Sequence, residues 1–238
     1  LGTSTILWDD VVPLLAQRYR VVSWDLPGHG ASPAPTQPFT VGDIANAVAA
    51  AVAGERFFYA GVSLGGATGL ELLVRHPRRV RAAAIIASGA RLGDPSAWHD
   101  RAEQVRRQGT SSLIAASAGR WFAPGSISRR PEISGRLLHT LQDADDEGYA
   151  LCCEALAAYD VRADLGAIIA PVAALWGEHD TVAPEAAADE IAGGVRDGYA
   201  LRIADAAHLP PAEQPVAVAE AMLAFFDASE KGSANADR

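Results

Sequence analysis

Positive charge is scarce in this chain of 238 residues. Lys and Arg number 20 against 29 Asp and Glu, a formal net charge of −9. That balance argues against a nucleic-acid footprint and against a polybasic membrane anchor. It leaves room for an acidic ligand, because a local arginine pocket can act inside an acidic protein. Long hydrophobic runs are also lacking, so no stretch reads as a bilayer span, and no signal peptide is visible. Only two cysteines occur, Cys152 and Cys153, and they are adjacent. Neighbours in sequence are poor disulfide partners, so both read as small apolar side chains on a helix in a reducing compartment. No His, Asp and Glu residues stand at metal-ligand spacing, and no cofactor is expected. No internal repeat is found. The sequence Gly-x-Gly-x-x-Gly of a dinucleotide site is missing too, since Ser63 holds the middle glycine position of Gly61–Gly66.

What is present is apolar matter, 49% of residues, enough for one large α/β domain. It is organised around residues 57–66, Phe-Phe-Tyr-Ala-Gly-Val-Ser-Leu-Gly-Gly. A strand-like run enters Gly-x-Ser-x-Gly, and a helical pattern leaves it as far as Arg75. This is the strand, sharp turn and helix that present a serine hydroxyl at a sheet edge. Gly61, Gly65 and Gly66 give strand and helix room to crowd together. The helix opening at Leu64 aims free N–H groups and its positive end at the site where an oxyanion would form.

The rest of the chain gives context. Residues 8–18 read as a short helix interrupted by Pro13. Tyr19–Leu26 reads as a buried strand, followed by the turn Pro27-Gly28-His29-Gly30. Asp25 and His29 are read as structural. Thr40 or Asp43 caps a helix running to Ala53. Further apolar strands are expected at Val80–Ala87, Pro171–Trp176 and Gly198–Ala204, so continuous strands alternate with helices. That pattern means a mostly parallel sheet covered on both faces. Between Arg91 and Arg162 no strand is expected. Helices over 95–108, 110–118, 131–142 and 147–159 read as a lid, rich in Arg and Trp. The expected organisation is a core of 1–90 and 163–228, a helical lid of 91–162, and a disordered polar tail of 229–238.

A serine needs a base, and the base needs an orienting acid. Reactive groups of parallel sheets collect beyond the carboxyl ends of the strands. Asp180 follows one late strand in Gly177-x-x-Asp180, and His208 follows the last. The order Ser63, Asp180, His208 is that of nucleophile, acid and base in an α/β-hydrolase arrangement. Asp160, Asp164, Glu178 and Asp205 are weaker candidates for the acid, and His179 reads as a turn residue. The expected partner is a small ester or lactone, with neither nucleic acid nor membrane involved.

Asp25-x-x-Gly28-His29-Gly30-x-Ser32, Gly61-x-Ser63-x-Gly65-Gly66, Gly177-x-x-Asp180 and Ala207-His208 together resemble the α/β-hydrolase superfamily over nearly the whole chain. Leu1-Gly2-Thr3-Ser4 with Trp8-Asp9, Trp98-x-x-Arg101, Val105-Arg106, Arg120-Trp121-Phe122-Ala123-Pro124, Gly148-Tyr149-Ala150 and Asp160-x-Arg162 resemble the 3-oxoadipate enol-lactonases. That resemblance implies a cytoplasmic, cofactor-free serine hydrolase acting late in protocatechuate and catechol breakdown. It implies Leu64 and Leu1 as oxyanion donors. It points to Arg120 and Trp121 first as substrate-binding residues, with Arg101 and Arg106 as further cations. Other carboxylesterases, lactonases or perhydrolases of this fold are the alternative, and a non-catalytic ligand-binding protein a more distant one. The resemblance also implies strands ahead of Leu1, leaving Leu1 a free amine on an unanchored terminus. In some relatives a carboxymuconolactone decarboxylase domain is fused, and it is carried here as a fused or associated partner.

Overall fold

The computed structural model describes residues 1–52, 54 and 56–236, the side chains of 232–236 excepted. Four parallel strands, β1 (Phe57–Val62), β2 (Val80–Ile86), β3 (Val172–Gly177) and β4 (Gly198–Ile203), lie side by side in chain order. The helices follow the chain as α1 (Val12–Leu15), α2 (Val41–Ala51), α3 (Leu64–Arg75), α4 (Pro95–Gln108), α5 (Ile114–Trp121), α6 (Ser126–Arg129), α7 (Pro131–Asp143), α8 (Asp146–Ala157), α9 (Glu185–Gly194), α10 (Pro210–Glu213) and α11 (Pro215–Ala236).

The strand residues alternate between two cores, as the two-residue repeat of a strand requires, with one irregularity of register between Val80 and Ala83. Ala82, Ala84 and Ile86 of β2 face one core with Ala173 and Leu175 of β3. There they meet Val218, Met222 and Phe226 of α11. Val80, Ala83 and Ile85 face the other core with Val172 and Ala174, against α2, α3 and α9. Both faces are covered, which is why β2 and β3 read as unbroken apolar runs. Thr40 and Asp43 both cap α2, each side chain accepting from the other's backbone N–H. The expected end of α2 at Ala53 lies outside the described residues.

Three expectations are corrected. Tyr19–Leu26 is irregular and joins no ladder among the described residues, so the helical insertion follows the second paired strand and not the third. An apolar run becomes a strand only when a neighbour takes its backbone groups, and here Val22 is 59% exposed. The segment is held by side chains instead: Asp25 accepts from the N–H groups of Thr5 and Ala31, and the Tyr19 ring packs edge-on against Phe58 and Phe226. The expected disordered tail is helical through Ala236, continuing α11, while 237–238 lie outside the described residues. Arg18 pairs with Asp227 at 2.9 Å at the start of that extension. Leu1, expected to be unanchored, packs against both cores.

Cys152 and Cys153 are both buried on α8, one facing each core. No described helix is long and apolar enough to cross a membrane.

One tight crossing joins β1 to α3. A Cβ on Gly61 would lie 2.3 Å from the Gly65 carbonyl oxygen, which is backbone and cannot swing away. Gly61→Ala is therefore expected to cost about 1–3 kcal/mol, read as a lower midpoint in urea denaturation.

Candidate active site

Ser63 is the hinge between β1 and α3, with φ +55° and ψ −115°. That is a strained conformation for a residue with a side chain. The surroundings hold it. The Ser63 N–H donates to Ile86 O at 2.9 Å, and the Ser88 hydroxyl donates to Ser63 O at 2.8 Å. Ala67 N–H donates to the same carbonyl at 2.9 Å. The corner is thus fixed from β2 on one side and from α3 on the other. Ala87 (φ +47°) and Asp205 (φ +54°) are the other described non-glycine residues in this region. They follow β2 and β4, so all three strained residues lie at the carboxyl edge of the sheet. Leu64 N–H is the first of α3 and has no acceptor within its helix.

Asp180 and His208 meet directly. His208 Nδ1 lies 2.9 Å from Asp180 Oδ2, and the carboxylate side chain is wholly shielded from solvent. The other carboxylate oxygen accepts from the N–H groups of Val182 at 2.7 Å and Ala183 at 3.1 Å. With Nδ1–H given to the acid, Nε2 carries the lone pair, the tautomer a general base needs. A second glycine crossing sets the histidine loop: a Cβ on Gly177 would fall 2.0 Å from Ala207 O. The chain after β4 therefore folds back hard across the end of β3 before reaching His208.

The insertion between β2 and β3 roofs this edge. It is tied to the Gly28 turn by Asp145 N–H donating to Gly28 O at 2.9 Å. It is tied to the histidine loop by Leu209 N–H donating to Trp121 O at 3.2 Å. Trp121 is buried, and its indole lies against Gly2 with Leu141 and Tyr149. Leu1 is half-buried where the two cores meet.

The lid cations part company. Arg106 is held by Glu147, at 2.8 and 2.7 Å, and by Glu154 at 2.5 Å. Arg101 stacks on the Trp98 ring at 5.0 Å and bonds the Tyr149 side chain. Arg120 is half-buried, and burial with the nearby Arg101 charge lowers its pKa. Neither Arg101 nor Arg120 forms an ion pair among the described residues.

Two features went unseen in the sequence. Glu178, His179 and Asp205 offer ligand atoms within 4.8 Å of one another. Their spacing hides this, because β4 separates them. All are exposed, and Glu178 already pairs with Arg202 at 3.1 Å and accepts from Asp205 N–H. The other feature is Glu213, a buried carboxylate with nothing in the local pattern to announce it.

His29 is buried in its turn, as a structural residue should be. Its Nδ1 lies 2.9 Å from Pro27 O, and its ring stacks on Tyr149 at 6.0 Å. Burial pushes its pKa down to about 4 from 6.5. Between those values the unfolded chain takes up a proton that the folded one refuses, so stability falls as pH drops through that window. The full effect is about 3 kcal/mol. Urea denaturation at pH 7 and pH 4.5 should show that His29→Asn narrows the wild-type loss.

The profile described as alpha/beta hydrolase fold matches residues 1–215. The chain is similar to 3-oxoadipate enol-lactonase 2 of Acinetobacter baylyi, with 34% identity over 95% of this chain and 85% of that protein. It is similar to a pimeloyl-[acyl-carrier protein] methyl ester esterase of Neisseria meningitidis serogroup C, with 30% identity over 88% of this chain and 84% of that one. Among solved structures, the enol-lactonase of Burkholderia xenovorans LB400 superposes with a TM-score of 0.91 at 31% identity, over 95% of this chain and 88% of the other.

Proposed function

The chain belongs to the alpha/beta hydrolase fold family, and from that premise we propose that it is a cytoplasmic serine hydrolase whose preferred substrate is 3-oxoadipate enol-lactone. The observation that carries the reading is the buried His208–Asp180 bond on the same sheet edge as the strained Ser63 corner. The substrate is carried over from the relatives' names, and the resemblance of the motifs in residues 91–162 supports it.

In this reading His208 Nε2 takes the Ser63 proton as Oγ attacks the lactone carbonyl carbon. The tetrahedral oxyanion is met by Leu64 N–H, with the Leu1 nitrogen as second donor. Collapse breaks the ring C–O bond, and the imidazolium returns its proton to the departing enolate oxygen. Water, deprotonated by the same imidazole, then releases the acid from Ser63. Asp180 holds the ring and stabilises its charged form without taking the proton. An enolate leaves more readily than an ordinary alkoxide, so an enol ester suits this machinery.

The lactone also carries a free carboxylate. Arg120 and Arg101 are offered to it, because neither has an acidic partner among the described residues while Arg106 is already bound. Trp121 forms the apolar wall beside them. Residues 91–162 would then be the lid over a core of 1–90 and 163–228. The esterase relative supports a second reading, hydrolysis of a different carboxylic ester by the same triad.

Loss of the enol-lactone's ultraviolet absorbance is the direct assay. Ser63→Ala should lower kcat by about 10⁴-fold or more; equal rates for the two proteins would remove serine catalysis. Activity on aryl esters with none on the lactone would keep the triad and sink the substrate. Arg120→Ala should raise KM for the lactone about tenfold, the worth of one charge-assisted hydrogen bond. For a neutral aryl ester KM should hold within about twofold, and equal effects on both would reject the clamp.

A further inference from the structure

Glu213 is 5% exposed, and the proposed chemistry makes no use of it. A buried carboxylate is tolerated only where donors meet it. Here one oxygen accepts from Ala123 N–H at 2.7 Å and the other from Ala207 N–H at 2.7 Å. The Ser126 side chain supplies a further hydrogen bond. These donors come from two places that are distant in sequence. Ala207 directly precedes His208. Ala123 and Ser126 belong to the turn that leaves Trp121.

Both sequence neighbours of His208 are thereby tied to that turn. Ala207 reaches it through Glu213, and Leu209 donates directly to Trp121 O at 3.2 Å. Asp180 fixes the imidazole ring through Nδ1. Glu213 and Trp121 fix the backbone from which the ring hangs.

We propose that Glu213 is a positioning residue that sets the approach of His208 to Ser63 by clamping the histidine loop to the Trp121–Ser126 segment. This rests on the reading of Ser63 and His208 as nucleophile and base. The side chain must be a carboxylate for a geometric reason. Two N–H donors reach its two oxygens separately, which asks for two acceptors in one plane. Glutamine has one acceptor and would turn an NH2 group against the second N–H. Alanine would leave two inward N–H groups without partners. Because one group bonds both loops, the base and the roof segment carrying Arg120 and Trp121 are placed together.

The test uses the full chain with p-nitrophenyl acetate, and a fluorophosphonate that labels the serine only when the base is in place. Glu213→Gln should lower kcat about ten- to a hundredfold, the scale of a small misplacement of a reacting group. KM should stay within about twofold, and the labelling rate should fall by the same factor as kcat. Ser126→Ala, which removes one of the carboxylate's partners, should show the same split with a loss of about two- to fivefold. A Glu213→Gln protein with wild-type kcat per titrated site overturns the inference, even where its melting temperature has fallen. If Glu213→Gln does not fold, an unchanged kcat and labelling rate in Ser126→Ala overturns it instead. Ser63→Ala separates the two levels. A fully active Ser63→Ala removes the serine reading itself, whereas an inactive Ser63→Ala beside a fully active Glu213→Gln removes the clamp alone.

Discussion

A strand and a helix whose backbones touch leave no space for a side chain between them, and the geometry of the carboxyl edge follows from that contact. At β1 and α3 it requires glycine at 61, where a Cβ would meet the Gly65 backbone. It requires glycine at 66, where a Cβ would fall 2.5 Å from that of Ser88. The turn between is forced so sharply that Ser63 sits at φ +55°, a conformation that costs on the order of 1–3 kcal/mol. Three hydrogen bonds to Ser63's own backbone, from or to Ile86, Ser88 and Ala67, hold it there. The second close contact, Gly177 beneath Ala207, does for the histidine what the first does for the serine. Two catalytic candidates from opposite ends of the sequence are each aimed by a glycine that lets backbone lie on backbone.

Much of this was legible. β1, β2 and β3 carry apolar residues on both faces because both faces are buried, so each reads as an unbroken run. β4 was found although half-exposed, since Gly198 and the Asp205 turn bracket it. Tyr19–Leu26 shows where such reading fails. Its composition resembles that of a strand, but pairing belongs to two segments and cannot be read from one. The error over 229–236 has the opposite cause. Ser, Glu, Lys and Gly there carry no apolar periodicity, yet a helix already anchored by Phe225 and Phe226 extends at little cost per residue.

The site divides along the same line. Ser63, Asp180 and His208 were visible because each follows a strand end, and in a parallel sheet all such ends share an edge. Glu213 was invisible because its meaning lies in the donors it meets, at Ala123 and Ala207, which no spacing rule connects. The arginines were visible as a group but not as individuals. Arg106 stands on the exposed flank of α4 facing α8, so Glu147 and Glu154 neutralise it. Arg101, five residues earlier, is turned onto Trp98 and Tyr149 and meets no acid among the described residues.

That difference bears on how an acidic protein would receive an anionic lactone. A net charge of −9 is spread over the surface, where salt screens it within a Debye length of about 8 Å. Its repulsion is therefore felt weakly at any one point. Arg120 is different: it is half-buried, and the nearby Arg101 charge disfavours its own. Two like charges held together in partial isolation from water are an unfavourable arrangement until an anion enters between them, and its arrival relieves both repulsion and desolvation. Global acidity and local anion binding are thus compatible. Under the proposed reaction, recognition is concentrated in the few side chains of the roof, while the sheet edge beneath needs only to present the same serine to whichever ester the roof admits.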